Sequence, residues 1–230
     1  MSEKLIQLNS ITKTYKLGDE TIYALNNINL IVKDAEFLAI VGPSGSGKTT
    51  LANIIGGLDT FDSGEVIIDG QNLAKSKDNT LSDYRNKKIG FVFQTFNLQA
   101  GYSALENVML PLIFSKVKYK ERKKKAEECL ALVGLENRMK HKPNQLSGGQ
   151  RQRVSIARAL SNNPEIVIAD EPTGNLDSKK GSEIIDLLKD LNRKKNMTLI
   201  VITHDIGIAR LADRIILIQD GKISDSKIKQ

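Results

Sequence analysis

The chain is poor in the residues that staple or anchor a protein. Its single cysteine, Cys129, rules out an internal disulfide and offers no metal-ligand spacing. Set in Cys129-Leu130-Ala131-Leu132-Val133, it reads as a small buried hydrophobe. No apolar run approaches the roughly 18 residues that suggest a membrane span, and the start, Met1-Ser2-Glu3-Lys4-Leu5, has no continuous apolar signal region. The expectation is a cytosolic protein, so that any attachment to a membrane must come through another chain. Histidine is scarce too: His141 lies in the polar run Lys140-His141-Lys142, whereas His204 follows an apolar stretch. At 230 residues there is room for one large α/β domain with a smaller subdomain, but not for two such large domains.

What is present is ordinary in amount and specific in order. An apolar content of 40% and a charged content of 27% suit a soluble protein that buries a core. The net charge of +7 and pI near 9.3 fit a nucleic-acid binder, but equally a phosphate-binding enzyme beside an anionic membrane, so charge alone decides nothing. Seven of the ten residues from Lys116 to Lys125 are Lys or Arg, with Glu121 the lone acid. The run reads as a solvated helix face continuing into Ala126-Glu127-Glu128, ahead of a lipid or nucleic-acid patch.

The most informative stretch is Gly42-Pro43-Ser44-Gly45-Ser46-Gly47-Lys48-Thr49-Thr50. It follows the apolar run Phe37-Leu38-Ala39-Ile40-Val41 and precedes Leu51-Ala52-Asn53-Ile54-Ile55, giving the strand, glycine turn and helix that the P-loop pattern requires. Glycines let the backbone wrap close to a polyphosphate, and successive N–H groups with the helix N-terminus form an anion site. Lys48 then reaches the β and γ phosphates and the Thr49 hydroxyl is placed for Mg²⁺. A glycine loop that merely caps a helix is the plainer alternative.

Partial alternation predicts a strand over residues 5–16, a turn at Gly18-Asp19, and strands at Ile22–Val32 and Glu36–Val41. Tyr15, the aromatic ending the first strand, serves either sheet packing or as a platform for adenine. A short strand at Ser63–Gly70, a helix around Leu81–Arg85 and a buried strand Ile89–Phe93 ending at Gln94 come next. Residues 105–160 turn to helical periodicity, with Ala126, Cys129, Leu130 and Val133 on one stripe. Beyond them come a helix over Lys179–Asn192, a strand over Thr198–Ile202, a closing strand at Ile215–Ile218, and a turn at Asp220-Gly221 into a short polar tail.

Three further features carry chemistry. In Leu146-Ser147-Gly148-Gly149-Gln150, two glycines open a helix and make a second donor-rich anion site, unless Ser147 is simply an N-cap. Such a site beside a single P-loop makes sense if two copies face each other. The strand Glu165–Asp170 ends in the carboxylates of Asp170 and Glu171. Strand alternation points adjacent residues to opposite faces, so one suits the metal's surroundings and the other a reacting water; a surface acidic pair is the alternative. His204 follows a strand's C-terminal end, the edge where parallel sheets bind ligands.

Taken in this order, the P-loop, Gln94, the LSGGQ stretch, the strand ending in Asp170-Glu171, Gly174-Asn175-Leu176-Asp177 and His204 resemble the ATP-binding subunit of ATP-binding cassette (ABC) transporters. LSGGQ is the most specific, since P-loop kinases and GTPases lack it. The resemblance implies an α/β P-loop fold with a RecA-like core, an N-terminal antiparallel β subdomain and an inserted α-helical subdomain. Residues 1–95 and 161–230 would form the core with its β subdomain, and residues 96–160, approximately, the helical part. It implies ATP and Mg²⁺ as ligands, with Tyr15 as the adenine-stacking aromatic. Gln94 would touch Mg²⁺ and the attacking water, Asp170 would accompany Mg²⁺, Glu171 would be the general base and His204 the γ-phosphate sensor. Ser147, Gly148, Gly149, Gln150 and Asp177 would act on the nucleotide held by a second copy.

Phe91-Val92-Phe93-Gln94, Ala104-Leu105-Glu106-Asn107-Val108, His141-Lys142-Pro143-Asn144-Gln145 and Thr173-Gly174-Asn175-Leu176-Asp177 resemble the macrolide-exporter and lipoprotein-release group. Gln99-Ala100-Gly101-Tyr102-Ser103 departs from its usual pattern near the expected permease contact. The implied partners are a second copy on ATP binding, integral membrane permease subunits and an adaptor or accessory protein, at the cytoplasmic face of the cell membrane. A related ATPase that regulates a cell-wall hydrolase through a membrane partner is the alternative. No nucleic acid is expected, because DNA- or ribosome-associated relatives usually carry two cassettes or a long coiled-coil insert.

Overall fold

Runs of isoleucine, valine and leucine assemble two sheets, and the parity of each run decides what covers it. The structure, a computed structural model, describes residues 4–73 and 78–228. Strands β1 (Lys4–Leu17), β2 (Glu20–Lys33), β4 (Ser63–Ile68) and β5 (Gln71–Asn72) form an antiparallel sheet in the order β2-β1-β4-β5. The second sheet holds β3 (Phe37–Val41), β6 (Ile89–Phe93), β7 (Ile166–Asp170), β8 (Thr198–Ile202), β9 (Arg214–Gln219) and β10 (Lys222–Ile228), in the order β10-β9-β3-β8-β7-β6. All its neighbours are parallel except β10, which pairs antiparallel with β9.

β3 and β8 are buried at every position, as expected for central parallel strands covered on both faces. Their alternate residues enter different cores. Phe37, Ala39 and Val41 share one cluster with Val167, Ala169, Leu199 and Val201, whereas Leu38 and Ile40 share another with Ile168, Ile200, Ile202 and Ile218. The second face is covered by α1 (Lys48–Ile55) and by the inward side chains of the antiparallel sheet, among them Ile6, Leu8 and Val66. The first face is covered by α5 (Gly148–Leu160) and α6 (Ser178–Lys195), through Val154, Ala157, Ile184 and Leu188. On that side Val and Ala lie between the bulkier side chains, which lets helices approach the sheet closely.

Helix α2 (Asp78–Lys87) leads into β6. Helices α3 (Ala104–Phe114) and α4 (Tyr119–Leu132) pack on α5, and their buried residues Val108, Ala126 and Leu130 belong to the same cluster as the sheet face. The expected stripe on α4 is therefore the buried one, and burial pushes the Cys129 thiol up to about 11. Its basic side is solvated: Lys125 pairs with Glu121 at 3.1 Å and Lys123 with Glu127 at 3.8 Å along the helix.

One expectation is corrected. The segment after Asp220-Gly221 is not a polar tail but the edge strand β10. Asp220 (φ 49°) and Gly221 (φ 70°) are both left-handed, as a tight two-residue hairpin requires, and Asp-Gly is the signal for such a turn. The polar residues of Lys222-Ile223-Ser224 suit an edge strand, so polarity there does not argue against pairing.

Candidate functional site

The register of the parallel strands lines up the ends from which the site is built. Phe93 pairs with Asp170, Asp170 with Ile202, and Ile202 with Ile40. The residues that follow these four therefore emerge at one level, in spatial order: Gln94, Glu171, the Thr203-His204 turn, and the glycine loop. Ligands of parallel α/β sheets bind in this crevice beyond the carboxyl ends of the strands.

The glycine loop is shaped by contacts that no Cβ would tolerate. Gly42 (φ 155°) would place a Cβ 2.1 Å from the Ile218 carbonyl oxygen, and Gly47 (φ 101°) would place one 2.2 Å from that of Ala24. Lys48 is nearly buried, and its Nζ donates to the Pro43 carbonyl at 2.7 Å, so the ammonium arches over its own loop. The Ser46 hydroxyl is buried and has no hydrogen-bond partner among the described residues. Lys48 and the N–H groups of α1's first turn, which have no partner within the helix, stand together at the glycine loop, a donor set that fits a polyphosphate.

Beside the loop, the Thr49 hydroxyl donates to Asp170 at 3.1 Å. Burial holds the Asp170 carboxyl above its ordinary value; the Thr49 hydrogen bond and Lys48 oppose this, and Glu171 adds to it. Glu171 does not continue the strand. Its N–H still closes the parallel ladder on the Ile202 carbonyl at 3.0 Å, but its φ of 47° is left-handed and the chain turns there. The two carboxylates do face different partners, but the separation comes from this turn and not from strand alternation. Glu171 Oε1 lies 2.9 Å from His204 Nδ1. Among the described residues no group of three or more His, Cys, Asp or Glu is gathered for a metal. One hydroxyl and one carboxylate nevertheless suit Mg²⁺, which takes much of its shell from phosphate and water.

The LSGGQ stretch caps α5. The Ser147 hydroxyl accepts from the Gln150 N–H at 3.3 Å and Gln150 Oε1 accepts from the Ser147 N–H at 3.0 Å, a complete capping box. The Ser147 O–H and the N–H groups of Gly148 and Gly149 are left pointing outward from the helix start. Asp177 caps α6, accepting from the Lys180 N–H at 3.0 Å; the Lys180 ammonium lowers its pKa. Tyr15 is 43% exposed, and its hydroxyl donates to Asp59 at 2.6 Å.

Sequence reasoning missed several residues. Gln152, fully buried in α5, donates to the Pro172 carbonyl at 2.7 Å, tying the signature helix to the turn after Glu171. Asn175 donates to the Gln94 carbonyl at 2.8 Å, and Gly174 packs against the Gln94 amide. Lys13, nearly buried, pairs with Asp59 at 3.1 Å. A buried lysine in a strand and a glutamine amid an apolar stripe were the available signals; their partners lay far along the chain.

A parallel sheet with a glycine-lysine loop at one strand end and a metal-suited carboxylate at another defines a P-loop nucleoside triphosphatase. The particular kind is settled by comparison. The family model described as ABC transporter matches residues 25–174. The chain is 56% identical over 223 residues to the uncharacterized ABC transporter ATP-binding protein MJ0796 of Methanocaldococcus jannaschii, covering 95% of each. It is 46% identical to the macrolide export ATP-binding/permease protein MacB of Vibrio parahaemolyticus, spanning 97% of this chain and 34% of that protein. The solved dimeric post-hydrolysis structure of MJ0796 bound to ADP and Pi superposes with a TM-score of 0.91 at 52% identity, covering 98% of this chain and 99% of that one. The chain belongs to the ABC transporter family: it is an ATP-binding and ATP-hydrolysing cassette.

Proposed function

We propose that two copies of this chain close head to tail around two ATP molecules and pass that closure to a membrane permease of the macrolide-exporter group. In this reading Gly42, Pro43, Ser44, Gly45, Ser46, Gly47, Lys48, Thr49 and Thr50 hold the triphosphate and Tyr15 carries the base. Thr49, Asp170 and Gln94 hold Mg²⁺, which neutralises phosphate charge when bound. Glu171 takes the proton from the attacking water. Ser147, Gly148, Gly149, Gln150 and Asp177 meet the nucleotide of the other copy. The reading is supported by MJ0796 having been solved as a dimer and by MacB being named an ATP-binding/permease protein.

The observation that carries it is the division of labour between two adjacent carboxylates: Asp170 bonded to the P-loop hydroxyl, Glu171 bonded to His204. Positioning and charge stabilisation account for most of phosphoryl-transfer catalysis, and this arrangement supplies both with a separate base. His204 donates through Nδ1 to Glu171 here, so its Nε2 donates to a phosphate oxygen only as imidazolium or once Glu171 is released.

Residues 96–160, approximately, are proposed as the subdomain that moves on closure, with residues 1–95 and 161–230 as the core. An apolar groove between them, lined by Phe91, Phe93, Leu110, Pro111 and Phe114, is the surface proposed for the permease. No helix among the described residues is long and apolar enough to cross a membrane. In this reading the permease, with any accessory protein, supplies the attachment at the cytoplasmic face. The test is Glu171→Gln with ATP and Mg²⁺, followed by light scattering. A trapped dimer is expected; a monomer at saturating nucleotide overturns the proposal.

A further inference from the structure

Tyr15 stands at the end of β1, where nothing in a two-stranded edge would hold a half-exposed ring in one pose. The structure holds it from two sides. Its hydroxyl donates to Asp59 Oδ2 at 2.6 Å. The other Asp59 oxygen accepts from the Lys13 ammonium at 3.1 Å and from the Thr60 N–H at 2.7 Å. Lys13 is 7% exposed, and its Nζ lies over the Tyr15 ring, 5.1 Å from the centroid. Next door, Thr14 donates through its N–H and its hydroxyl to Asp62 at 2.6 and 2.7 Å, stapling the strand end to the same loop.

Each contact has a consequence for recognition. The ammonium covers one face of the ring, so a planar ligand reaches only the other. The bond to Asp59 ties the ring to the loop that follows α1, the helix that carries Lys48 and Thr49. A buried lysine needs a carboxylate partner, which explains why Asp59 stays charged and in place. Ordering the ring before the ligand arrives removes a rotamer cost from binding.

We propose that Asp59, braced by Lys13, is a positioning residue for nucleobase recognition, holding Tyr15 so that the base of the nucleotide stacks on one defined face. This rests on the reading of Tyr15 as the base platform. The ligand class is a nucleoside triphosphate, recognised at its base by stacking, which any aromatic base supports.

The test is steady-state ATP hydrolysis by the full chain with Tyr15→Ala, Tyr15→Phe, Asp59→Ala and the Tyr15→Ala/Asp59→Ala pair. Inhibition by inorganic tripolyphosphate, which has no base, is measured alongside. Tyr15→Ala should raise KM for ATP about tenfold, the usual scale of one lost stack. Asp59→Ala and Tyr15→Phe should each raise it roughly threefold with kcat held, as for one lost charge-assisted hydrogen bond partly replaced by water. Asp59→Ala should add nothing when Tyr15 is already Ala, and tripolyphosphate inhibition should not move in any variant. If Tyr15→Ala leaves KM unchanged, the platform reading falls and the proposal with it. If Tyr15→Ala raises KM but Asp59→Ala and Tyr15→Phe do not, the proposal alone falls. An equal effect of Asp59→Ala in both backgrounds, or a parallel loss of tripolyphosphate affinity, would show a purely structural role and also overturn it. Tyr15→Phe keeps the test decisive should Asp59→Ala fold poorly, because it leaves Lys13 and Asp59 paired.

Discussion

Glu171 and His204 touch, Oε1 to Nδ1 at 2.9 Å, although 33 residues separate them in the chain. The contact follows from register. β7 and β8 lie side by side with Asp170 opposite Ile202, and the Glu171 N–H bonds the Ile202 carbonyl, so Glu171, one residue past β7, and His204, two residues past β8, meet above the sheet edge. With a carboxylate as partner, Nδ1 carries the proton and the imidazole orients the carboxylate.

His204→Ala should therefore lower kcat for ATP hydrolysis by about 100-fold, the scale of losing one polar group from a reacting site, with a smaller change in KM. Rates at saturating ATP check this, and an unchanged kcat would remove His204 from the mechanism.

Lys48→Ala takes away both the charge over the glycine loop and the strut to the Pro43 carbonyl. ATP affinity measured by calorimetry should fall at least about tenfold, since charge-assisted contacts to phosphate are among the stronger polar interactions. Thermal stability without nucleotide should change far less.

Gly174→Ala tests the link between the 173–177 loop and Gln94. A Cβ there would come within 2.6 Å of the Gln94 Nε2. Because that amide is the exposed end of a flexible side chain, it should swing away and not unfold the protein. We expect normal ATP binding with kcat reduced several-fold, read by nucleotide titration and turnover on the same sample.

Gln152→Leu leaves the Pro172 carbonyl without its 2.7 Å donor in a buried setting. An orphaned buried acceptor costs about 1–3 kcal/mol. Removal of the Gln152 Oε1, which is buried without a partner of its own, offsets part of that. A urea midpoint below that of the native chain is expected; an unchanged midpoint would mean that water replaces the amide.

Asp59 gives a pH signature. Burial alone would raise its pKa, but the Tyr15 hydroxyl, the Lys13 ammonium and the Thr60 N–H together hold it below the ordinary aspartate value. A carboxyl whose folded pKa is depressed stabilises the fold above its unfolded pKa and loses that contribution as pH falls through the folded one. Comparing Asp59→Asn with the native chain by denaturation between about pH 5 and about pH 2, the range over which such a contribution disappears, the stability gap should be widest at the upper end and close at the lower.

Much of this site was legible because its chemistry is local. Gly42 to Thr50 declare themselves through their glycine spacing, with Gly42 and Gly47 standing where no Cβ fits, Ser147 and Gln150 through a cap three residues long, and β3 and β8 through unbroken apolar runs. β10 was misread because an edge strand needs no apolar face. The Glu171 turn was misread because alternation was carried one residue past the strand's end.

The amino-acid order by itself determined the kind of cassette this is, since phosphate loop, helix caps and buried strands each depend on neighbours a few residues away. Tertiary structure alone decided which remote groups complete them: Asp59 for Tyr15 across 44 positions, Pro172 for Gln152 across 20, and His204 for Glu171. Hydrogen bonds of that kind are set by which strands and helices pack side by side, and a residue's own identity shows that it needs a partner without showing which one.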